Sequence, residues 1–170
     1  QGSTQLNSLV MDSLSEVKGK KNWEIVHQTG KADREKLTNF YKDLNIQYKV
    51  ESFIKNMGEV YSNCDLVISR AGAMTISELI ATRTPSILLP LPWATDGHQT
   101  LNAKYLESIG ATKVIDSDKK NISEFALVLK DLSIDKEKRL SMSNSAKLAY
   151  LPDVAKVIFN KINESLQGKA

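Results

Sequence analysis

The sequence has little with which to hold a metal, a disulfide or a membrane. Its single cysteine, Cys64, excludes an internal disulfide. Lying just ahead of the apolar run "DLVIS", it reads as a thiol packed at the start of a core strand in a protein of a reducing compartment. The two histidines, His27 and His98, are far apart in sequence and far from that cysteine, so no metal site is expected. No Gly-Lys-Ser or Gly-Lys-Thr occurs, which excludes a phosphate loop of the Walker kind. The longest apolar runs, such as "SILLPLPW", fall far short of the roughly 18 to 20 residues of a spanning helix, and the first residues lack the basic-then-apolar pattern of an export signal. A soluble chain is expected. Internal repeats, low-complexity tracts, flexible linkers and a recognisable catalytic triad are missing too.

What is present is an ordinary globular composition: 170 residues, 41% apolar, with 8 glycines and 4 prolines. That is enough for one domain that buries roughly two thirds of its unfolded surface. The net charge of +3 is small, and its location matters more than its size. Between Ser52 and Ala103 the cations Lys55, Arg70 and Arg83 face the anions Glu59, Asp65, Glu78 and Asp96, three against four, a net of −1. The basic excess therefore lies outside the glycine-rich centre, which argues against a nucleic-acid groove there. The clusters "KGKKN" and "DKEKR" read as solvated surface, with weak attraction to anionic lipid headgroups as the functional alternative.

Short apolar runs alternate with amphipathic segments. Leu6, Leu9, Val10 and Leu14 fall at helical spacing, and "WEIVHQTG" then reads as a strand ending in polar residues and glycine. A helix over about Ala32–Leu44, a strand near Tyr48–Phe53 and a short helix at Met57–Ser62 follow. The pattern continues with the strand "DLVIS", a helix from about Thr75, the strand "SILLP", a helix over Gln99–Ile109 and the strand "TKVID". Helices at Ile122–Leu129, Lys136–Ala149 and Val154–Leu166 finish it. Repeated strand-then-helix order predicts an α/β fold of the Rossmann-like kind, a mostly parallel sheet covered by helices on both faces. At the other end, "QGSTQLNSL" reads like the middle of a ligand loop that a buried strand should feed. The expectation is a fragment that begins just inside its first loop.

The densest chemistry lies in "SRAGAMTISELIATRTPSILLPLPWATDGHQTLNA", Ser69 to Ala103. Ligand crevices of parallel sheets lie beyond the carboxyl ends of the strands. Gln28 and Thr29, Arg70 to Thr75, and Trp93 to Gln99 all follow strands in that way. Gly72 would allow a tight strand-to-helix turn, and the amides of Gly72 to Thr75 would face outward at a helix N-terminus as an anion site. A capped helix start without any ligand is the plainer reading. Glu78 stands three residues after Thr75, so it fits a capping box, or it could accept two hydroxyls of a sugar diol. Spacing does not separate these two. "GHQTLN" offers amide, hydroxyl and imidazole groups suited to neutral hydroxyls, with Asp96 a candidate helix cap. Trp93 could stack on a ring or plug the apolar run.

Several motifs in order carry a resemblance. "CDLVISRAGAMTISEL" followed by "PSILLPLPWATDGHQTLNAKYLESIGA", together with the opening "QG" and "LN", then "HQTG", "SFIKNM" and "YLPDVAKVI", resembles the C-terminal, donor-binding half of the MurG family of bacterial peptidoglycan glycosyltransferases. The resemblance runs over nearly all of the chain. It implies the C-terminal half of a two-domain GT-B architecture and an inverting transfer of N-acetylglucosamine from UDP-N-acetylglucosamine to undecaprenyl-pyrophosphoryl-N-acetylmuramyl-pentapeptide, without a required metal or other cofactor. It also implies site roles. Ile54 would contact uracil through its backbone, Glu78 the ribose hydroxyls, and Gly72, Ala73, Met74 and Thr75 the diphosphate, with Arg70 among the substrate-binding residues. His98 and Gln99 would face the sugar, Asn102 would support the loop, and Gln1 and Gly2 would border the diphosphate from the opposite side. The general base and most contacts to the lipid-linked acceptor would belong to an N-terminal domain, so this chain alone would transfer nothing. The whole protein would work at the cytoplasmic face of the plasma membrane. Two alternatives share the features: the separate catalytic subunit of the dolichyl-linked N-acetylglucosamine transferase, and a non-enzymatic nucleotide-sugar-binding module.

Overall fold

The computed structural model describes residues 2–91, 97–117 and 121–150. Strand and helix alternate from the first element: α1 (Thr4–Glu16), β1 (Glu24–Gln28), α2 (Arg34–Asp43), β2 (Gln47–Glu51), α3 (Met57–Asn63), β3 (Val67–Ser69), α4 (Ala73–Thr82), β4 (Ser86–Leu88), α5 (His98–Ser108) and β5 (Thr112–Val114). Two consecutive helices, α6 (Ile122–Ile134) and α7 (Lys136–Ala149), follow. The helix expected over Val154–Leu166 lies outside the described residues.

Among the described residues every strand pairing is parallel, as helical crossovers between successive strands require. The pairing is divided between two sheets, however, and does not run across one. β1 pairs with β2, Glu24 opposite Gln47, and β3, β4 and β5 form a second sheet in that order, with Val67 opposite Ser86 and Ser86 opposite Thr112. Strand-helix order encodes crossovers but not which strands become neighbours, so the division could not be read from the pattern.

The central strand β4 explains why helices cover both faces. Side chains alternate across a strand, and Ile87 and Leu89 join one core cluster with Leu9, Leu14, Leu37, Phe125 and Leu132, while Leu88 joins the other with Tyr61, Ile76, Leu79 and Leu106. Thus α1, α2 and α6 supply one apolar layer, and α3, α4 and α5 the other. α7 contributes to both, through Met142 and Ala146. Ile87, Leu88 and Leu89 are all fully buried, which accounts for the uninterrupted apolar run in the sequence. Among the described residues no helix is long and apolar enough to cross a membrane.

Some boundaries differ from the sequence reading for identifiable reasons. α4 begins at Ala73, two residues before the expected Thr75, because Gly72 serves as its N-cap. α5 begins at His98, with Gly97 as N-cap at φ +67°, so the cap position is not that of Asp96, which lies outside the described residues. α6 runs to Ile134, beyond Leu129, because fully buried Leu132 extends its apolar stripe. It stops at Asp135, whose carboxylate accepts from Lys138 N–H and starts α7. Phe53 lies past β2 and is exposed. Cys64 ends α3 and precedes β3, half-buried, its thiol donating to the Tyr61 carbonyl at 3.5 Å. It is therefore in a connection and not at the start of a core strand; burial pushes its pKa up.

Candidate functional site

A continuous line of contacts follows the carboxyl ends of the strands. It starts after β2, where the Ile54 N–H donates to Gln28 Oε1 at 2.8 Å, and Gln28 is the last residue of β1. The next residues, Thr29 and Gly30, meet Gly2 so closely that a Cβ on Gly2 would lie 1.9 Å from the Thr29 carbonyl oxygen. A side chain at position 2 is excluded by that approach. Ser3 follows as the N-cap of α1, its Oγ accepting from Leu6 N–H at 3.3 Å.

Arg70, one residue past β3, then gathers the line. Its Nη1 donates to the Leu89 carbonyl at 2.8 Å and to Ser117 Oγ, and its Nη2 donates to Gln5 Oε1 at 3.0 Å and Ser3 Oγ at 3.4 Å. One planar guanidinium thereby ties the start of α1 to the ends of β3, β4 and β5, which its fork of donors suits. These partners are all neutral oxygens, and burial lowers the Arg70 pKa from its ordinary value. Ser69 Oγ and Arg70 Nε are buried without a hydrogen-bond partner among the described residues.

Beside this cation two helices start uncapped. Ile76 N–H bonds the Gly72 carbonyl at 2.9 Å, and the preceding amides of Ala73, Met74 and Thr75 come before the first intrahelical bond of α4, with no side-chain cap. Gly72 does not owe its identity to the backbone, which is extended at φ −66°. Nor is there crowding, for a Cβ there would meet nothing nearer than Thr75 Oγ1 at 3.9 Å. Ala73 and Met74 are exposed, Met74 to 79%. α5 likewise starts from a glycine with no side-chain cap. Asn102 Nδ2 donates to the Ala71 carbonyl at 3.3 Å, bracing the turn ahead of α4, and Gln99 Oε1 accepts from Leu91 N–H at 3.1 Å.

The start of α4 removes one of the two readings of Glu78. With Gly72 as cap, Thr75 lies inside the first turn and Glu78 inside the helix, so the capping box is not formed. The half-buried Glu78 carboxylate lies instead within electrostatic reach of the Tyr61 hydroxyl. The Tyr61 phenol is pushed up to about 12, by burial first and then by the Glu78 charge. A carboxylate can accept several hydroxyl hydrogen bonds at once.

Of the residues singled out in the sequence, Gly2, Ile54, Arg70, Gly72, Ala73, Met74, Thr75, Gln99 and Asn102 all lie along this edge. His98 is exposed in the first turn of α5. Gln1 and Trp93 lie outside the described residues. Three participants escaped the sequence reading. Ser3 and Gln5 belong to the opening segment read as a ligand loop but were given no role there, and Ser117 is a buried serine whose Oγ donates to the Pro90 carbonyl at 2.6 Å. Polar residues directly after an apolar strand, as in "VIDS", were the available signal.

Comparison with known proteins places the fold in a family. Residues 1–158 match the glycosyltransferase family 28 C-terminal domain. The chain is 37% identical over 167 residues to the UDP-N-acetylglucosamine--N-acetylmuramyl-(pentapeptide) pyrophosphoryl-undecaprenol N-acetylglucosamine transferase of Pseudomonas syringae pv. tomato, covering 98% of this chain and 47% of that relative. The protein of the same description from Stutzerimonas stutzeri is 35% identical with the same coverage. The chain thus spans about half the length of the curated relatives it matches. Among solved structures, Acinetobacter baumannii MurG superposes with a TM-score of 0.83 at 28% identity, over 96% of this chain and 49% of that one. The glycosyltransferase VinC, at TM-score 0.66 and 14% identity, shares the fold. The α/β architecture is that of the C-terminal half of MurG, and the chain belongs to the glycosyltransferase family 28 C-terminal domain family.

Proposed function

We propose that this chain is the donor-binding half of an inverting glycosyltransferase that takes N-acetylglucosamine from UDP-N-acetylglucosamine and delivers it to the undecaprenyl-pyrophosphoryl-N-acetylmuramyl-pentapeptide acceptor of peptidoglycan synthesis. The observation that carries the reading is the partly buried Arg70 guanidinium, bonded to neutral oxygens beside the uncapped amides of α4. Such a cluster is a preformed seat for a diphosphate, where amides and a fixed cation act without reorganisation. Similarity to the curated transferases supplies the identity of the nucleotide and sugar.

In the reaction the acceptor hydroxyl attacks the anomeric carbon, the bond from that carbon to the diphosphate oxygen breaks, and UDP leaves with the electron pair. Negative charge grows on the diphosphate as the bond lengthens. Arg70, with the amides of Ala73, Met74 and Thr75, and Gly2 opposite them, stabilises that charge. Glu78 accepts from the ribose hydroxyls. Ile54 reads uracil through its carbonyl oxygen, because its N–H is already given to Gln28. Gln99 offers its amide N–H groups to the sugar while its oxygen holds Leu91, and His98 flanks it. Asn102 keeps the turn at Ala71 in place. The general base and the acceptor contacts lie in the rest of the protein, which works at the cytoplasmic membrane surface.

Calorimetric titration with UDP, ADP and GDP tests the reading. UDP should bind tighter than either purine nucleotide; equal affinities would sink the uridine assignment, and no binding at all would remove the donor-site reading for this chain.

A further inference from the structure

His27 is half-buried at β1 and takes no part in the contacts above, yet both of its ring nitrogens are engaged. Nδ1 lies 2.7 Å from the Tyr41 hydroxyl and Nε2 lies 3.0 Å from Asn7 Oδ1. Asn7, itself buried in α1, points its Nδ2 at two acceptors, the Thr29 carbonyl at 3.0 Å and Asp33 Oδ2 at 2.7 Å.

Chemistry fixes the direction of every bond in this chain. Only the amide nitrogen can serve two acceptors, so Asn7 Oδ1 must face the histidine and Nε2 must carry the proton. Nδ1 then has a lone pair and accepts from the Tyr41 O–H. The sequence of donations is Tyr41 to His27, His27 to Asn7, and Asn7 to Thr29 and Asp33. Burial, opposed by the Asp33 charge, lowers the His27 pKa to about 4, which keeps the ring in this neutral form.

The chain ends where the donor site begins. The Thr29 carbonyl that Asn7 holds is the same oxygen against which Gly2 packs. Asn7 also closes the first turn of α1, its N–H bonding the Ser3 carbonyl at 2.8 Å. Its side chain therefore locks the loop before α1 to the loop after β1. The amides of Thr4 and Gln5, at the free start of that helix, inherit their placement from it.

We propose that Tyr41, His27 and Asn7 form a positioning relay that sets the N-terminal end of α1 against the diphosphate of the bound nucleotide. The inference rests on the donor-site reading above and adds residues that touch no ligand. It separates the two ends of the nucleotide: the relay bears on the diphosphate and leaves the uracil and ribose contacts at Ile54 and Glu78 alone.

The test compares UDP with uridine in four forms of the chain: unsubstituted, His27→Leu, His27→Gln and Tyr41→Phe. Glutamine can present a nitrogen donor close to the place of Nε2, whereas leucine leaves Asn7 Oδ1 and the Tyr41 hydroxyl unpaired. His27→Leu should weaken UDP about ten-fold, His27→Gln should recover most of that loss, and uridine affinity should stay within about two-fold throughout. Backbone amide signals of Ser3 to Gln5 should move in His27→Leu and return in His27→Gln without any ligand. If His27→Leu does not fold, Tyr41→Phe, which deletes one hydroxyl, carries the same comparison with a UDP loss of roughly three-fold. Equal weakening of UDP and uridine would make the relay a general packing feature and overturn the proposal. So would unchanged UDP binding in the folded variants. Failure of the unsubstituted chain to bind UDP would instead remove the donor-site reading, and the inference with it.

Discussion

Replacing Glu78 by Gln keeps the side chain's length and removes its charge. UDP should then bind more weakly, roughly 1 to 3 kcal/mol for a charged acceptor lost from a ribose, while folding stays near normal because no helix cap depends on the residue. Tyr61 provides an internal check. Its phenol, pushed up to about 12, should titrate lower once the neighbouring charge is gone but stay above the ordinary tyrosine value, since burial is the larger cause. Unchanged UDP affinity together with a lowered Tyr61 pKa would reduce Glu78 to a partner of Tyr61. Gln99 needs a different substitution because its oxygen already holds Leu91 N–H. Gln99→Glu preserves that acceptor and deletes the two amide donors. The added charge weakens UDP and UDP-N-acetylglucosamine alike, so their affinity ratio is the readout. The ratio should fall by about ten-fold if the amide donates to a sugar hydroxyl; a constant ratio would assign Gln99 to the loop alone.

At the scale of elements, the relay joins α1, β1 and α2, so its protonation state bears on folding. His27 titrates near 4 in the folded chain against 6.5 in the unfolded one. Between those values the unfolded chain binds more protons, so stability is full above about pH 6.5 and declines as pH falls toward 4, by up to about 3 kcal/mol. Tyr41, Asn7 and Asp33 surround the ring, and the Asp33 carboxylate already tempers the shift. Chemical denaturation from pH 7 to 4.5 should show the decline, and His27→Gln should flatten it; an equally steep decline in the variant would exclude His27 as its source. The same elements mark what the sequence could and could not tell. Apolar periodicity gave the order of strands and helices, and strand ends gave the edge where Gly72, Arg70 and Asn102 sit. The start of α4 was misplaced because Thr75 and Glu78 have capping-box spacing, whereas the helix uses glycine as its cap. The relay was illegible: residues 7, 27, 29, 33 and 41 carry no local signature, and only the parallel topology brings them within hydrogen-bond reach. The bond from Arg70 to Ser117 crosses 47 positions for the same reason.

At the scale of the molecule, the described residues form a core covered on both faces, with the proposed donor-site residues along one rim. β4 is buried on both sides and contributes no donor or acceptor side chain beyond Ser86, which is itself bonded to Thr112 at 2.9 Å. The rim can therefore vary without disturbing what lies beneath it. Gly72 shows what that separation implies. Its backbone is one that alanine adopts freely, and a Cβ added there would meet only Thr75 Oγ1, at 3.9 Å. Gly72→Ala should consequently raise the stability of the empty protein by about 0.4 to 1 kcal/mol, through reduced freedom of the unfolded chain. The same methyl would stand over the amides of Ala73 to Thr75 and hold a phosphate away from them, so UDP affinity should drop as the melting temperature climbs. A variant that gained stability and kept its affinity would deny any ligand contact at this turn. If both changes are seen, glycine at position 72 is a thermodynamic concession: the chain forgoes an easy stabilisation to keep one methyl's thickness vacant for its guest.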